Sequence, residues 1–298
     1  MGARVRTAPV VFVTGKGGVG KTTVAAALAL DAARGGGRSL LVELRDPEAG
    51  ARALGASLGQ IEHVVVKPGD AVVDAVAGLL GSRVLARLLV RHWVVRRLVA
   101  AAPGVSELAA LEAIRALAAR GGFERMVVDL PSAGHAIGWL KVASAVARFA
   151  RIGPFHDLAS RVDELVRDPD RSTIVVVALP EPLVLGETRE LCDSLEREIG
   201  RRPEVLIVNR VPADDGPATR ALGDLVAADE TGPAAHQVLA LLEARAARVE
   251  WARAALNEAS ELVASRRIEL PEGATDPSPR ELVDWLDAAV ANGSPCPA

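Results

Sequence analysis

Short runs of aliphatic and β-branched residues alternate along this chain with longer segments whose apolar positions recur at helical spacing. That alternation predicts a parallel sheet joined by crossover helices. Val10–Thr14, Ser39–Leu44, Arg125–Asp129, Thr173–Ala178 and Glu204–Asn209 read as strands, with a weaker sixth at Ile268–Leu270. Each ends in a turn or polar residue at its carboxyl end, where open α/β sheets bind their ligands. The predicted fold class is α/β, a doubly wound, mostly parallel sheet flanked by helices, in one domain over residues 1–298.

Between the second and third of these strands, about 69–120 is helical and longer than one crossover needs, so it reads as an insertion. Arg83, Arg87 and Arg91 recur there at every fourth position, opposite Val84, Leu85, Leu88 and Leu89. This predicts an amphipathic helix with a solvated cationic face and apolar residues in the core; a surface for a partner or acidic lipid is the alternative. A further helical segment covers about 136–168. Pro233–Ala264 reads as one docked helix or a helical hairpin, and Pro212–Pro233 as a loop-rich connection.

The strongest chemical signal is Gly15-Lys16-Gly17-Gly18-Val19-Gly20-Lys21-Thr22-Thr23, which follows the first strand and opens the helical run Val24–Leu28. In that context the glycines let successive backbone N–H groups face a phosphate, and the helix N-terminus adds its positive dipole end. Lys21 supplies a cation for the β- and γ-phosphates, and the Thr22 hydroxyl is placed to coordinate Mg²⁺. The fold class narrows to a P-loop NTPase, with ATP and Mg²⁺ as cofactors.

The second lysine, Lys16, gives the loop the deviant Walker form, and this resembles ArsA, MinD, ParA and the nitrogenase iron-protein relatives. Members of that group typically hold nucleotide between two subunits. The resemblance implies a dimer in which Lys16 reaches the partner's phosphates. The loop Asp129-Leu130-Pro131-Ser132-Ala133-Gly134-His135 is similar to the DTAPTGH segment of the ArsA family, matching at Asp129, Pro131, Gly134 and His135. Leu179-Pro180-Glu181 and Val208-Asn209-Arg210 are similar to that family's LPE and VNR/VNQ segments. The resemblance covers most of the chain and is closest to compact bacterial ArsA-like ATPases. It implies that Asp129 binds Mg²⁺ through water in a loop that senses the γ-phosphate. It also implies that a loop near Leu270–Pro271 closes the adenine side, with Pro271 at the base. Asn209, ending a strand, offers one donor and one acceptor to adenine; no Asp follows at the spacing of guanine readers, so ATP is favoured over GTP. A His at a loop-to-helix start is more often a cap or surface residue, and His135 reads that way. The family's DPAH-like first switch is displaced here: Asp46-Pro47 falls one residue late, behind Arg45. Asp46 is the candidate for positioning the attacking water, with Glu43 a weaker substitute.

Composition removes several alternatives. A formal net charge of −3, no Tyr, four Phe and four Trp give neither a global attraction to nucleic acid nor stacking platforms. Cys192 and Cys296 match no zinc spacing and cannot form a thiolate cluster for a metalloid, so neither zinc nor arsenic export is expected. Met126 is the only methionine besides Met1, so there is no Met-rich client groove. No secretory signal and no run of about 18 apolar residues is present, which predicts a cytoplasmic protein without a transmembrane segment.

These readings predict an ATP hydrolase whose nucleotide state switches a homodimer, or a heterodimer with a related ATPase, and thereby controls a hydrophobic protein client or partner. A weakly hydrolysing regulatory subunit of a heteromeric pair is a second reading, motivated by the irregular first switch. A ParA- or MinD-like positioning ATPase is a third, disfavoured by the acidic C-terminal helix around Glu281–Val290.

Overall fold

The computed structural model describes residues 7–44, 48–57, 59–93, 95, 97, 104–213, 216, 221–224, 233–259, 262, 266–273 and 275–291. Seven strands form one sheet: β1 (Val10–Gly15), β2 (Ser39–Glu43), β3 (Glu62–Val65), β4 (Arg125–Asp129), β5 (Ser172–Ala178), β6 (Val205–Val211) and β7 (Arg266–Pro271). Their order is β3-β2-β4-β1-β5-β6-β7, and every pairing is parallel. The chain steps from β1 outward to β2 and β3, returns through β4, then crosses to β5, β6 and β7. Right-handed crossovers in both directions place helices on both faces, and the reversal at β1 opens a crevice at the carboxyl ends of the strands.

Burial explains the apolar runs. Val10 to Val13 and Ile174 to Ala178 are covered on both faces, so they need no alternation. Six of the strands coincide with the sequence expectation to within two residues at each end. The seventh, β3, is an addition, because Glu62-His63-Val64-Val65 is short, edge-placed and only partly buried. Its neighbour on one side is β2, and its one apolar run, Val64-Val65-Val66, is only three residues long.

The helices are α1 (Lys21–Arg34), α2 (Ala49–Leu54), α3 (Pro68–Leu80), α4 (Arg83–Arg91), α5 (Val105–Ala119), α6 (Ala133–Phe149), α7 (Pro154–Arg167), α8 (Pro182–Ile199), α9 (Pro233–Ala259) and α10 (Pro279–Ala291). The tract near 69–120 contains α3, α4 and α5, with α3 packed on both others. The segment near 136–168 is α6 and α7, packed as a hairpin around Leu140, Leu158 and Val162. Pro233–Ala259 is one continuous helix that docks by its C-terminal half, through Val249, Ala252, Ala255, Leu256 and Ala259. Most of Pro212–Pro233 and Cys296 lie outside the described residues.

On α4 the structure corrects the expected core. Ala86 is fully buried, whereas Val84 is 70% exposed and Leu88 66%, with Leu85 and Leu89 also open. The helix docks along the small Ala86 and Val90 side, so its outward face is apolar and the arginine row flanks that face. Arg83 pairs with Asp74 of α3 at 2.7 Å.

Candidate nucleotide-binding site

β1 delivers the phosphate loop to the sheet's crevice. Gly15 has φ +149°, and a Cβ there would lie 2.1 Å from the Val177 carbonyl oxygen, so only glycine lets the loop leave this close to β5. Gly17 and Gly18 have open space where a Cβ would stand. Gly20 precedes α1 in the left-handed region and supplies no side-chain cap, so the first-turn N–H groups of α1 remain available to an anion.

Lys21 and Thr22 turn in opposite directions from the first turn of α1. Lys21 Nζ donates to the Lys16 carbonyl at 2.7 Å, and burial lowers its pKa while nearby Asp129 raises it. Thr22 Oγ1 donates to Asp129 Oδ2 at 2.6 Å, from the first turn of α1 to the end of β4. Asp129 Oδ1 is buried and has no hydrogen-bond partner among the described residues, an orphaned acceptor beside a hydroxyl. A hydroxyl and a carboxylate are the hard oxygen donors that Mg²⁺ takes when phosphates and waters complete its shell, so these residues fit that ion.

Burial pushes the Asp129 carboxyl up to about 6, opposed by the Thr22 hydrogen bond and the Lys21 charge and aided by the Glu43 charge. The folded chain therefore holds this proton at a pH where the unfolded chain has lost it. In the nucleotide-free protein, stability from this group is expected to fall as pH rises from about 4 through about 6, by roughly 2–3 kcal/mol in all. Urea melts of wild type and Asp129→Asn across pH 4–8 check this: the pH slope should shrink in the variant.

Glu43, at the end of β2 beside Asp129, is fully engaged elsewhere. Its Oε1 accepts from the Gly50 backbone N–H at 2.5 Å and its Oε2 meets His63 Nε2 at 2.5 Å. Gly50 lies in the first turn of α2, so Glu43 ties the chain beyond the first-switch segment back to the sheet. These bonds leave it poorly placed to take over water positioning. Asp46 lies outside the described residues.

Asn209 lies against the P-loop. Its Nδ2 donates to the Val19 carbonyl at 3.0 Å and its Oδ1 accepts from the Arg210 N–H at 3.0 Å. Both amide groups are thus engaged within the chain, and pairing with adenine requires exchanging one of these bonds. Arg210, at φ +58°, is the one non-glycine residue with positive φ among those described. It sits in a register shift between Val208 and Val211 that turns the strand end toward the loop. Pro271 ends β7, paired with Val211. Next to these strand ends lies a cleft of about 340 Å³, lined by Pro180, Arg210, Pro212, Arg248, Trp251 and Glu272 among others. A larger cleft, about 680 Å³ between β3, α3, α5 and α7, shares no residue with the P-loop.

The sequence is similar to those of known proteins. The profile of the anion-transporting ATPases (ArsA_ATPase) matches residues 8–66, the stretch holding β1, the P-loop, α1 and β2. An uncharacterized protein of Streptomyces coelicolor is 33% identical over 282 residues, 80% of this chain and 69% of that protein. The chain belongs to the ArsA ATPase family. ATPase BagA of Mycobacterium tuberculosis is 30% identical over 226 residues, 68% of this chain and 65% of that protein, so the chain spans just under two thirds of that relative. An arsenical pump-driving ATPase of Escherichia coli is 27% identical over 242 residues, 69% of this chain and 40% of that protein.

As an ArsA-family chain it brings Gly15 to Thr23, Asp129 and Asn209 to one crevice. Lys16 joins them by its backbone only, because its side chain turns to Glu187 of α8: Nζ and Oε1 are 2.7 Å apart. His135 is exposed in the first turn of α6. Sequence reasoning missed Glu187, the His63–Glu43 pair and the positive-φ turn at Arg210. None had a local signal, since each depends on a residue at least 20 positions away or on strand pairing. Among the described residues, no helix is long and apolar enough to cross a membrane.

Proposed function

We propose that this chain binds Mg-ATP at the P-loop and hydrolyses it as the switching subunit of a dimer. The observation that carries the reading is the Thr22–Asp129 contact with the unpartnered Asp129 Oδ1, set at the N-terminus of α1 where triphosphate oxygens meet backbone N–H groups. Mg²⁺, when bound, neutralises charge on the β- and γ-phosphates. Gly17 to Thr23 orient the phosphates. Lys21, held at the loop by the Lys16 carbonyl, is the cation poised to exchange that bond for phosphate oxygen. Asp46 is proposed to position the attacking water. The adenine is proposed to lie near Asn209 and Pro271, whose chain neighbours Arg210 and Glu272 line the 340 Å³ cleft.

The dimer is proposed from Lys16, whose ammonium has no route to its own loop's phosphates while it pairs with Glu187. The outward apolar face of α4 supports a hydrophobic protein client or partner. A buried Cys192, its thiol pushed up to about 12 chiefly by burial, is compatible with the reducing cytoplasm proposed for it.

Specific ATPase activity measured over a hundredfold range of protein concentration tests the proposal. Activity per chain is expected to rise with concentration in wild type, and Lys16→Ala is expected to lose about 10²-fold or more at the highest concentration. Background turnover at all concentrations, with ATP still bound, would favour instead the regulatory subunit of a heteromeric pair.

A further inference from the structure

The two lysines of one loop have different partners. Lys21 is half-buried and turned into the loop, where it meets the Lys16 carbonyl. Lys16 is turned outward, with its Nζ 2.7 Å from Glu187 Oε1; the two side chains are 38% and 42% exposed. The pairing follows from the sheet. Gly15 lies opposite Val177 in the β1–β5 register, so the P-loop leaves the sheet beside the loop that runs from β5 into α8. Glu187 stands in the second turn of α8, within reach of the first side chain of the P-loop.

We propose that Glu187 is the positioning residue of Lys16: it holds the lysine against its own subunit until the triphosphate bound by a second copy of the chain draws it away. The inference rests on the reading of Lys16 as an interface lysine. A single half-exposed ion pair is weak and salt-screened. It is strong enough to select one rotamer of a four-carbon side chain, and weak enough to yield to several anionic oxygens brought up by a partner. The pair also answers a problem of the free monomer. An unpaired Lys16 beside an empty P-loop would be available to any passing anion, and Glu187 fills that role internally. Release of Lys16 also leaves the Glu187 carboxylate near the interface, where it opposes closure by a subunit that carries no ATP.

Sedimentation velocity of the full chain with Mg-ATP, at low and moderate salt, tests this on wild type, Glu187→Gln, Lys16→Ala and the double variant. Glu187→Gln is expected to shift the association midpoint to about two- to fivefold lower protein concentration. That shift should vanish in the Lys16→Ala background and shrink with added salt. The same shift in the Lys16→Ala background, or weaker association, overturns the proposal, because Glu187 would then act on the interface without Lys16. A second arm needs no dimer: amine labelling of Lys16 in the nucleotide-free protein, read by mass spectrometry. Labelling is expected to rise in Glu187→Gln, and unchanged labelling overturns the holding contact. A wild-type chain that stays monomeric with Mg-ATP overturns the interface reading itself, while the labelling arm still decides whether Glu187 holds Lys16.

Discussion

Asp129→Asn is expected to cut Mg²⁺-dependent ATP turnover by about 10²-fold or more and, in the same protein, to raise the melting temperature of the nucleotide-free form at pH 7. The two effects come from one cause. Asp129 is a buried carboxyl whose environment favours the neutral form, up to a pKa of about 6, so at pH 7 the folded chain carries a charge it would rather not hold. Among the described residues, only Thr22 hydrogen-bonds it, and Oδ1 has no partner. Asparagine keeps the shape and still accepts from the Thr22 hydroxyl, but brings no charge to desolvate. The relief is roughly 1–3 kcal/mol, which in a chain of this size corresponds to a rise of about 2–6 °C. Below about pH 4 the wild-type group is neutral in both states and the gain should disappear. Calorimetry with and without Mg-ATP checks both halves. Ligand-induced stabilisation should be largest in wild type, since a divalent cation converts the unfavourable charge into a bound one. An unchanged melting temperature together with full turnover would remove Asp129 from the site.

Arg125→Met is expected to destabilise the fold by about 3–5 kcal/mol without touching the nucleotide crevice. Arg125 opens β4 at the opposite end of the sheet from the P-loop. Its Nη1 donates to Asp31 Oδ2 at 2.6 Å and to the Leu28 carbonyl at 3.0 Å, and both ionic side chains are buried. Methionine fills much of the volume but strands the Asp31 carboxylate in an apolar layer between α1 and the sheet. The cost is that of an uncompensated buried charge, so Asp31→Leu combined with Arg125→Met should recover most of the loss. Urea denaturation of the two single variants and the double one gives the comparison. If Arg125→Met alone were within about 1 kcal/mol of wild type, the pair would be solvated and the account of it wrong.

The sequence alone determined the sheet's central strands and the phosphate loop. Both are local: a strand buried on both faces must be an apolar run, and a loop that wraps phosphates needs glycine, lysine and threonine at fixed spacing after a strand and before a helix. Val10–Gly15 and Lys21–Arg34 could be read for those reasons, as could Asp129 at the end of an apolar run. The tertiary structure alone decided which groups meet, across chain separations from seven residues to nearly two hundred. It put Thr22 on Asp129, Lys16 on Glu187, Asn209 on Val19 and Glu43 between Gly50 and His63. It also turned the apolar row of α4 outward, although helical periodicity marks a face without saying which side meets the core. The edge strand β3 was illegible because it has one strand neighbour and its single apolar run, Val64-Val65-Val66, is too short to mark a strand by itself. Spacing along the chain fixes what a segment can form; strand order and register fix which segments touch, and long-range contacts are written in no single stretch of residues.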